Sequence, residues 1–314
     1  VLSIDPRQPA HLTSRQYAGG GDLQAMLELL MESRALTDDW RYPHVGDLLF
    51  WFFMIAIHLD PHRHMRLWYA GEKLIGYAML GEDPSFDVPV HPQYAWRGIE
   101  DDALEWAEGL LTELRQSDPG RWGGQLVSGA RLDDPQRMAF LERHGFHPGG
   151  EFSEVNLLRT LDAPIPTPLV PPGCQVRAVR QDELSDRAGA QREVWLPWSV
   201  GEVSDDDYAQ LMHLPGYDPE LDIVSVAPDG AIATYVNGWN DRVNKIGDLG
   251  PVGTRPAYRR QGLAKAALLE CLRRMQAQGM QRVSVSTNNL PAQSLYEAVG
   301  FRVVNEYIEY VKQH

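Results

Sequence analysis

Five prolines fall within residues 162–173, Asp-Ala-Pro-Ile-Pro-Thr-Pro-Leu-Val-Pro-Pro-Gly, near the middle of a 314-residue chain. Each proline removes a backbone donor and fixes φ, so the segment suits neither a helix interior nor a central strand and reads as an extended connector. It divides the chain into 1–160, a connector at 161–173, and 174–314. Each flanking stretch has the size of an ordinary domain, and a hydrophobic content of 43% supplies a core for both.

The two stretches repeat one outline. The second reads as a strand near 175–179, helices over about 182–214, a hairpin over 222–239, a strand reaching Pro251, and a Leu/Ala-rich helix. Gly279 is placed to stop that helix in a left-handed conformation, and Arg282-Val-Ser-Val-Ser286 alternates as a half-buried strand does. In the first stretch, 67–80 reads as a hairpin around Ala70-Gly-Glu72, and Met138-Ala-Phe-Leu-Glu-Arg-His-Gly-Phe146 parallels residues 293–301.

Bulk properties exclude several functions. A net charge of −14 disfavours nucleic acid or an anionic membrane as partner and mildly favours a cationic substrate. The apolar run 48–57 is too short to cross a bilayer and no signal peptide opens the sequence, so a cytoplasmic location is expected. Cys174 and Cys271 form neither a disulfide framework nor a metal site. His58, His62 and His64 lack ligands at a standard spacing apart from Asp60, so no metal is expected.

The strongest chemical signal is Pro256-Ala-Tyr-Arg-Arg-Gln-Gly-Leu-Ala-Lys-Ala266, a basic turn running into a helix. The free N–H groups and positive dipole end of a first helical turn attract an anion. Here Arg259, Arg260 and Gln261 bend over the space a diphosphate would fill, Gly262 leaves the backbone open, Leu263 and Ala264 begin a thin helix, and Lys265 adds charge at the rim. About 25 residues later comes Asn288-Asn-Leu-Pro-Ala-Gln-Ser-Leu-Tyr-Glu-Ala-Val-Gly-Phe301. In order and separation these segments resemble the two acetyl-CoA motifs of the GNAT superfamily of N-acetyltransferases, well over the last 140 residues or so and weakly over the first 160.

The resemblance implies an α/β fold of two tandem GNAT-like domains, each a mostly antiparallel sheet with splayed parallel strands and flanking helices. Pro251, which cannot donate to a ladder, fits a bulge in the strand Asp248-Leu-Gly-Pro-Val-Gly-Thr254. In such folds the splay leaves a gap for pantetheine, so Val252 and Thr254 become cofactor contacts with Asn289, and the Val252 amide is the expected donor to the thioester carbonyl. Tyr296 is placed by its motif to serve the departing sulfur, by hydrogen bond or proton.

An alkylamine with pKa near 10 must lose a proton before it attacks. Asp248 is the expected acceptor, with Asp241 and Glu202 as rivals; the acids at 205–207 follow Ser204 and read as a helix start. Trp195, Trp198, Trp239 and Asp241 are expected to line the acceptor cleft. Laying Gly98 on Gly262 puts Ala95 in place of Arg259, Glu100 in place of Ala264 and Leu141 in place of Tyr296. The N-terminal copy is thus expected to have lost catalysis and tight cofactor binding. The expected activity is acetyl transfer from acetyl-CoA to a small-molecule primary amine by a monomer or homodimer. A non-catalytic acyl-CoA sensor and an enzyme similar to mycothiol synthase are the alternatives.

Overall fold

A computed structural model of the protein describes residues 12–37 and 40–313; of the expected N-terminal stretch, 1–11 and 38–39 lie outside the described residues. The first stretch contains β1 (Leu12–Gln16), α1 (Gly20–Leu36), α2 (Val45–His58), α3 (Pro61–His64), β2 (Met65–Ala70), β3 (Lys73–Leu80), β4 (Phe86–Asp87), α4 (Ile99–Ser117), β5 (Gln125–Arg131), α5 (Pro135–Arg143) and β6 (His147–Thr160). After the connector come β7 (Gln175–Ala178), α6 (Leu184–Trp195), α7 (Asp205–Leu211), β8 (Asp222–Val226), β9 (Ile232–Asp241), β10 (Ile246–Thr254), α8 (Leu263–Ala277), β11 (Arg282–Thr287), α9 (Leu290–Glu297) and β12 (Arg302–Gln313).

Local chemistry sets the helix that matters most. In α8, Leu263, Ala266, Ala267, Leu272 and Met275 are buried at helical spacing. Its end is a Schellman motif: Met280 N–H donates to the Met275 carbonyl at 3.0 Å, Gly279 N–H donates to Gln276 at 3.0 Å, and Gly279 has φ +88°.

Among the described residues the strands form a four-stranded sheet in the order β1-β2-β3-β4 and an eight-stranded sheet in the order β5-β12-β6-β11-β10-β9-β8-β7. A parallel bridge from Ser85 to Val127 links the two. The middle of the larger sheet is woven from both stretches. β6, which precedes the connector, pairs with β11 and β12, while β12 passes back between β6 and β5. The connector is tied down as well: Gln276 donates to the carbonyls of Leu161 (2.8 Å) and Ala163 (2.9 Å), and Leu161 and Ile165 enter the core beneath α8.

A second weave runs through α2. His44 caps this helix, its Nδ1 accepting from Gly46 N–H (3.0 Å) and its Nε2 meeting the Ile246 carbonyl of β10 (3.1 Å). That pattern places the proton on Nε2. Burial lowers its pKa to about 3, so the ring stays neutral. Gly46 lies on Trp239 so closely that a Cβ there would sit 2.5 Å from the indole side chain. Trp239 is 2% exposed and belongs to a core shared with Leu48, Leu49 and Phe53 of α2.

Gly46→Ala gains roughly 1 kcal/mol of helix propensity. The overlap with Trp239 outweighs it, for a net loss of about 1–3 kcal/mol. Urea unfolding measures the change, and a variant as stable as wild type contradicts the contact.

Candidate active site

The site begins where two parallel strands part. β10 and β11 pair only from Ile246/Arg282 to Asp248/Ser284. Beyond that point β10 shifts register against β9 between Leu249 and Val252, leaving Gly250 and Pro251 as a bulge. Arg255 N–H donates to the Ala233 carbonyl at 2.9 Å, which makes Gly253/Tyr235 the next hydrogen-bonded pair and leaves Val252/Val236 and Thr254/Thr234 as non-bonded pairs. The amides of Val252 and Thr254 therefore turn away from β9 into the gap beside β11.

The strand continues into the basic turn. Arg259 Nε donates to the Thr254 carbonyl at 3.1 Å, Arg260 has φ +64° and Gly262 has φ +83°. No side chain caps α8 at Gly262. Leu263 is buried with its carbonyl accepting from Ser225 Oγ at 3.0 Å, while Arg259, Arg260, Gln261 and Lys265 are exposed. Among the described residues, Arg259, Arg260 and Lys265 form no salt bridge. The turn thus offers free amides and uncommitted cations to an anion.

One cleft of about 1920 Å³ collects most of the expected residues: Asp248, Val252, Thr254, the turn from Arg259 to Lys265, Asn289, Tyr296, Trp195 and Trp198. Asn289 caps α9, its side chain accepting from Ala292 N–H at 3.2 Å. Tyr296 packs edge-on against Phe301 at 5.9 Å, and burial and nearby Asp248 raise the pKa of its phenol. Trp195 donates to the Tyr235 hydroxyl at 2.6 Å, and Trp198 is 64% exposed.

Two expected cleft residues have other duties. Trp239 is core, and its indole N–H donates to the Gly250 carbonyl at 2.7 Å, which fastens the bulge from beneath. Asp241 is fully buried and accepts from the amides of Val243 and Asn244, both at 3.0 Å, so it shapes the β9–β10 turn. Ser204 is the expected N-cap of α7, and with Asp207 it forms a capping box. His62 and His64 meet the backbone carbonyls of Tyr17 and Leu80.

Asp248 is not alone. Asp47 of α2 and Glu154 of β6 line the same cleft. Asp248 accepts from Ser284 Oγ at 2.6 Å, and Asp47 accepts from the His44 amide at 2.8 Å. Burial and then the charge of Asp47 push Asp248 well above the carboxylate range, with Glu154 adding to the rise. Burial, then Asp47, raises Glu154 to about 7. Asp47 is raised by burial. Charge on Asp47 raises both Asp248 and Glu154, so the ionisation of one carboxyl bears on the others. Neither Asp47 nor Glu154 stands in a motif of the second stretch, and only their shared approach to Asp248 marks them.

Comparison with known proteins agrees with this geometry. Residues 188–301 match the Acetyltransferase (GNAT) family. The chain carries a GNAT acetyltransferase domain and is an enzyme of the N-acetyltransferase class. Over most of its length it is similar to proteins named mycothiol acetyltransferase. The one from Pseudarthrobacter chlorophenolicus is 25% identical over 250 residues, covering 74% of this chain and 72% of that protein. The one from Frankia casuarinae is 28% identical over 255 residues, covering 73% and 69%. The GCN5-related N-acetyltransferase from Sphaerobacter thermophilus has the same fold, with TM-score 0.65 at 22% identity over 97% of this chain and 96% of that one. So does a tandem GNAT protein from the clavulanic acid biosynthesis pathway, with TM-score 0.64 at 16% identity over 96% and 98%. Among the described residues no helix is long and apolar enough to cross a membrane.

Gly262 is required by conformation as well as by access, since a Cβ there meets nothing within 4 Å while its φ is left-handed. Valine strains that backbone and covers the amides. Gly262→Val is expected to weaken acetyl-CoA binding at least tenfold, about 1.4 kcal/mol, in calorimetry on folded protein. Unchanged affinity removes the turn from the cofactor site.

Proposed function

We propose that the chain transfers an acetyl group from acetyl-CoA to the primary amine of a small molecule, by direct attack in a ternary complex. One observation carries this reading: the Val252 and Thr254 amides face the open gap between β10 and β11, and the same cleft holds the free turn at Gly262, the Tyr296 side chain and the carboxyls. Similarity to the mycothiol acetyltransferases favours a small acceptor, and the match to an acetyltransferase family gives the sensor alternative no support.

The residues divide the work. Arg259, Arg260, Lys265 and the amides of the α8 start hold the diphosphate, and Asn289 flanks the gap. The Val252 amide donates to the thioester oxygen as charge develops on it. Asp248 is too strongly protonated to act as an isolated base. Glu154, with its carboxyl near 7, takes the proton from the incoming ammonium. The amine nitrogen then attacks the carbonyl carbon, the C–S bond breaks, and the proton the nitrogen sheds as the amide forms goes to the departing sulfur, which leaves as the CoA thiol. A phenol with a raised pKa keeps its hydrogen, so Tyr296 stabilises the leaving thiolate as a hydrogen-bond donor. Trp195 and Trp198 form the acceptor wall.

The test is a panel of amines with acetyl-CoA, read as released thiol and acetylated product. With the best amine, Tyr296→Phe is expected to lower kcat about 10- to 1000-fold at nearly constant KM for acetyl-CoA. Equal turnover, with chemistry limiting, makes Tyr296 a packing residue.

Glu154 must be ionised to accept a proton, so wild-type kcat/KM is expected to rise with pH through about 7 and then level. Glu154→Gln is expected to lose about 100-fold and to lose that limb. A variant that retains both rate and limb excludes Glu154.

A further inference from the structure

The turn into α4 in the N-terminal stretch repeats the backbone of the turn into α8. β4 meets β5 only around the Ser85–Val127 bridge, with Val127 N–H donating to Pro84 (2.8 Å) and Ser128 Oγ to Phe86 (2.8 Å), so these strands part as β10 and β11 do. Trp96 and Gly98 have φ +63° and +102°, where Arg260 and Gly262 have +64° and +83°. Trp96 is one of three described residues other than glycine with positive φ, and nothing in its side chain asks for that conformation. The backbone has kept the shape of a turn that cups an anion.

Glu100 lies where the other copy has Ala264, on the first turn of α4. Its Oε1 accepts from Trp96 N–H at 2.7 Å, the amide that the turn presents inward. The residue is 3% exposed and its Oε2 is buried with no hydrogen-bond partner among the described residues. A carboxyl oxygen with no partner is an expensive group to bury. Its position is accounted for if it occupies the place of a phosphate oxygen. Burial raises its pKa, while the Trp96 amide, its own amide and Arg137 pull the other way.

We propose that Glu100 is a resident carboxyl that fills the N-terminal cradle, and that removing it uncovers a second site for the diphosphate of a coenzyme A-type ligand. This goes beyond charge repulsion, because the carboxyl holds the amide that the ligand would need. The inference rests on reading the Gly262 turn as a diphosphate cradle. It also implies that the N-terminal end of the shared cleft is kept clear of cofactor.

Calorimetric titration with CoA separates the possibilities. Wild type is expected to bind one equivalent, and that result tests the Gly262 reading by itself. Glu100→Ala, which clears the cradle, is expected to add one further equivalent of weaker affinity, since Ala95 supplies no counterpart of Arg259. Glu100→Gln removes the charge but keeps the volume and the acceptor for Trp96 N–H, and is expected to leave the stoichiometry unchanged. Addition of Gly262→Val to Glu100→Ala weakens the first site at least tenfold and is expected to leave the affinity of the new site unchanged. No added equivalent in folded Glu100→Ala overturns the proposal. So does a second equivalent in Glu100→Gln, which would make repulsion the cause. If wild type binds none, the Gly262 reading fails while the gain on Glu100→Ala remains a separate test.

Discussion

The structure depends on the crossing of β6 and β12. A strand with an unpaired edge leaves a row of backbone donors and acceptors unsatisfied. Here each stretch supplies the strand that covers the other's edge: β6 pairs along β11, and β12 pairs along β5, and the two pair with each other between them. Neither half of the sequence is a closed sheet by itself. The crossing also brings Glu154, a residue of the first stretch, to the cleft of the second, so the proposed proton acceptor reaches it only in the assembled sheet.

A chain of contacts fixes the gap. α2 approaches β9 and β10 because Gly46 has no side chain, Trp239 fills the space beneath, and its indole N–H holds the Gly250 carbonyl at the bulge. The bulge turns Val252 and Thr254 into the gap. His44 adds a neutral hydrogen bond from the same helix to Ile246. The strand proposed to receive the thioester is therefore positioned by a helix that ends more than 180 residues earlier in the sequence.

Local features were legible in the sequence. The open backbone at Gly262, the left-handed stop at Gly279, the N-cap at Ser204 and the bulge at Pro251 each follow from the preferences of one or two residues. Long-range features were not. An aromatic side chain on a strand can face either side, and the alternation around Trp239 does not say that α2 covers it. Asp241 stands in Gly-Trp-Asn-Asp like an exposed acid, yet it faces back into its own turn. Asp47 and Glu154 carry no motif; their chemistry arises from burial beside Asp248, which no local spacing encodes. Glu100 was visible as a misfit, but its hydrogen bond to Trp96 depends on the folded turn.

In the proposed function the gap between β10 and β11 holds acetyl-CoA while its N-terminal counterpart does not. A crystal structure of the wild-type protein grown with CoA tests it most directly. A single ligand is expected, its pantetheine between Val252 and β11 and its diphosphate over the amides that follow Gly262. A ligand in the gap between β4 and β5, or density there with the β10–β11 gap empty, would contradict it.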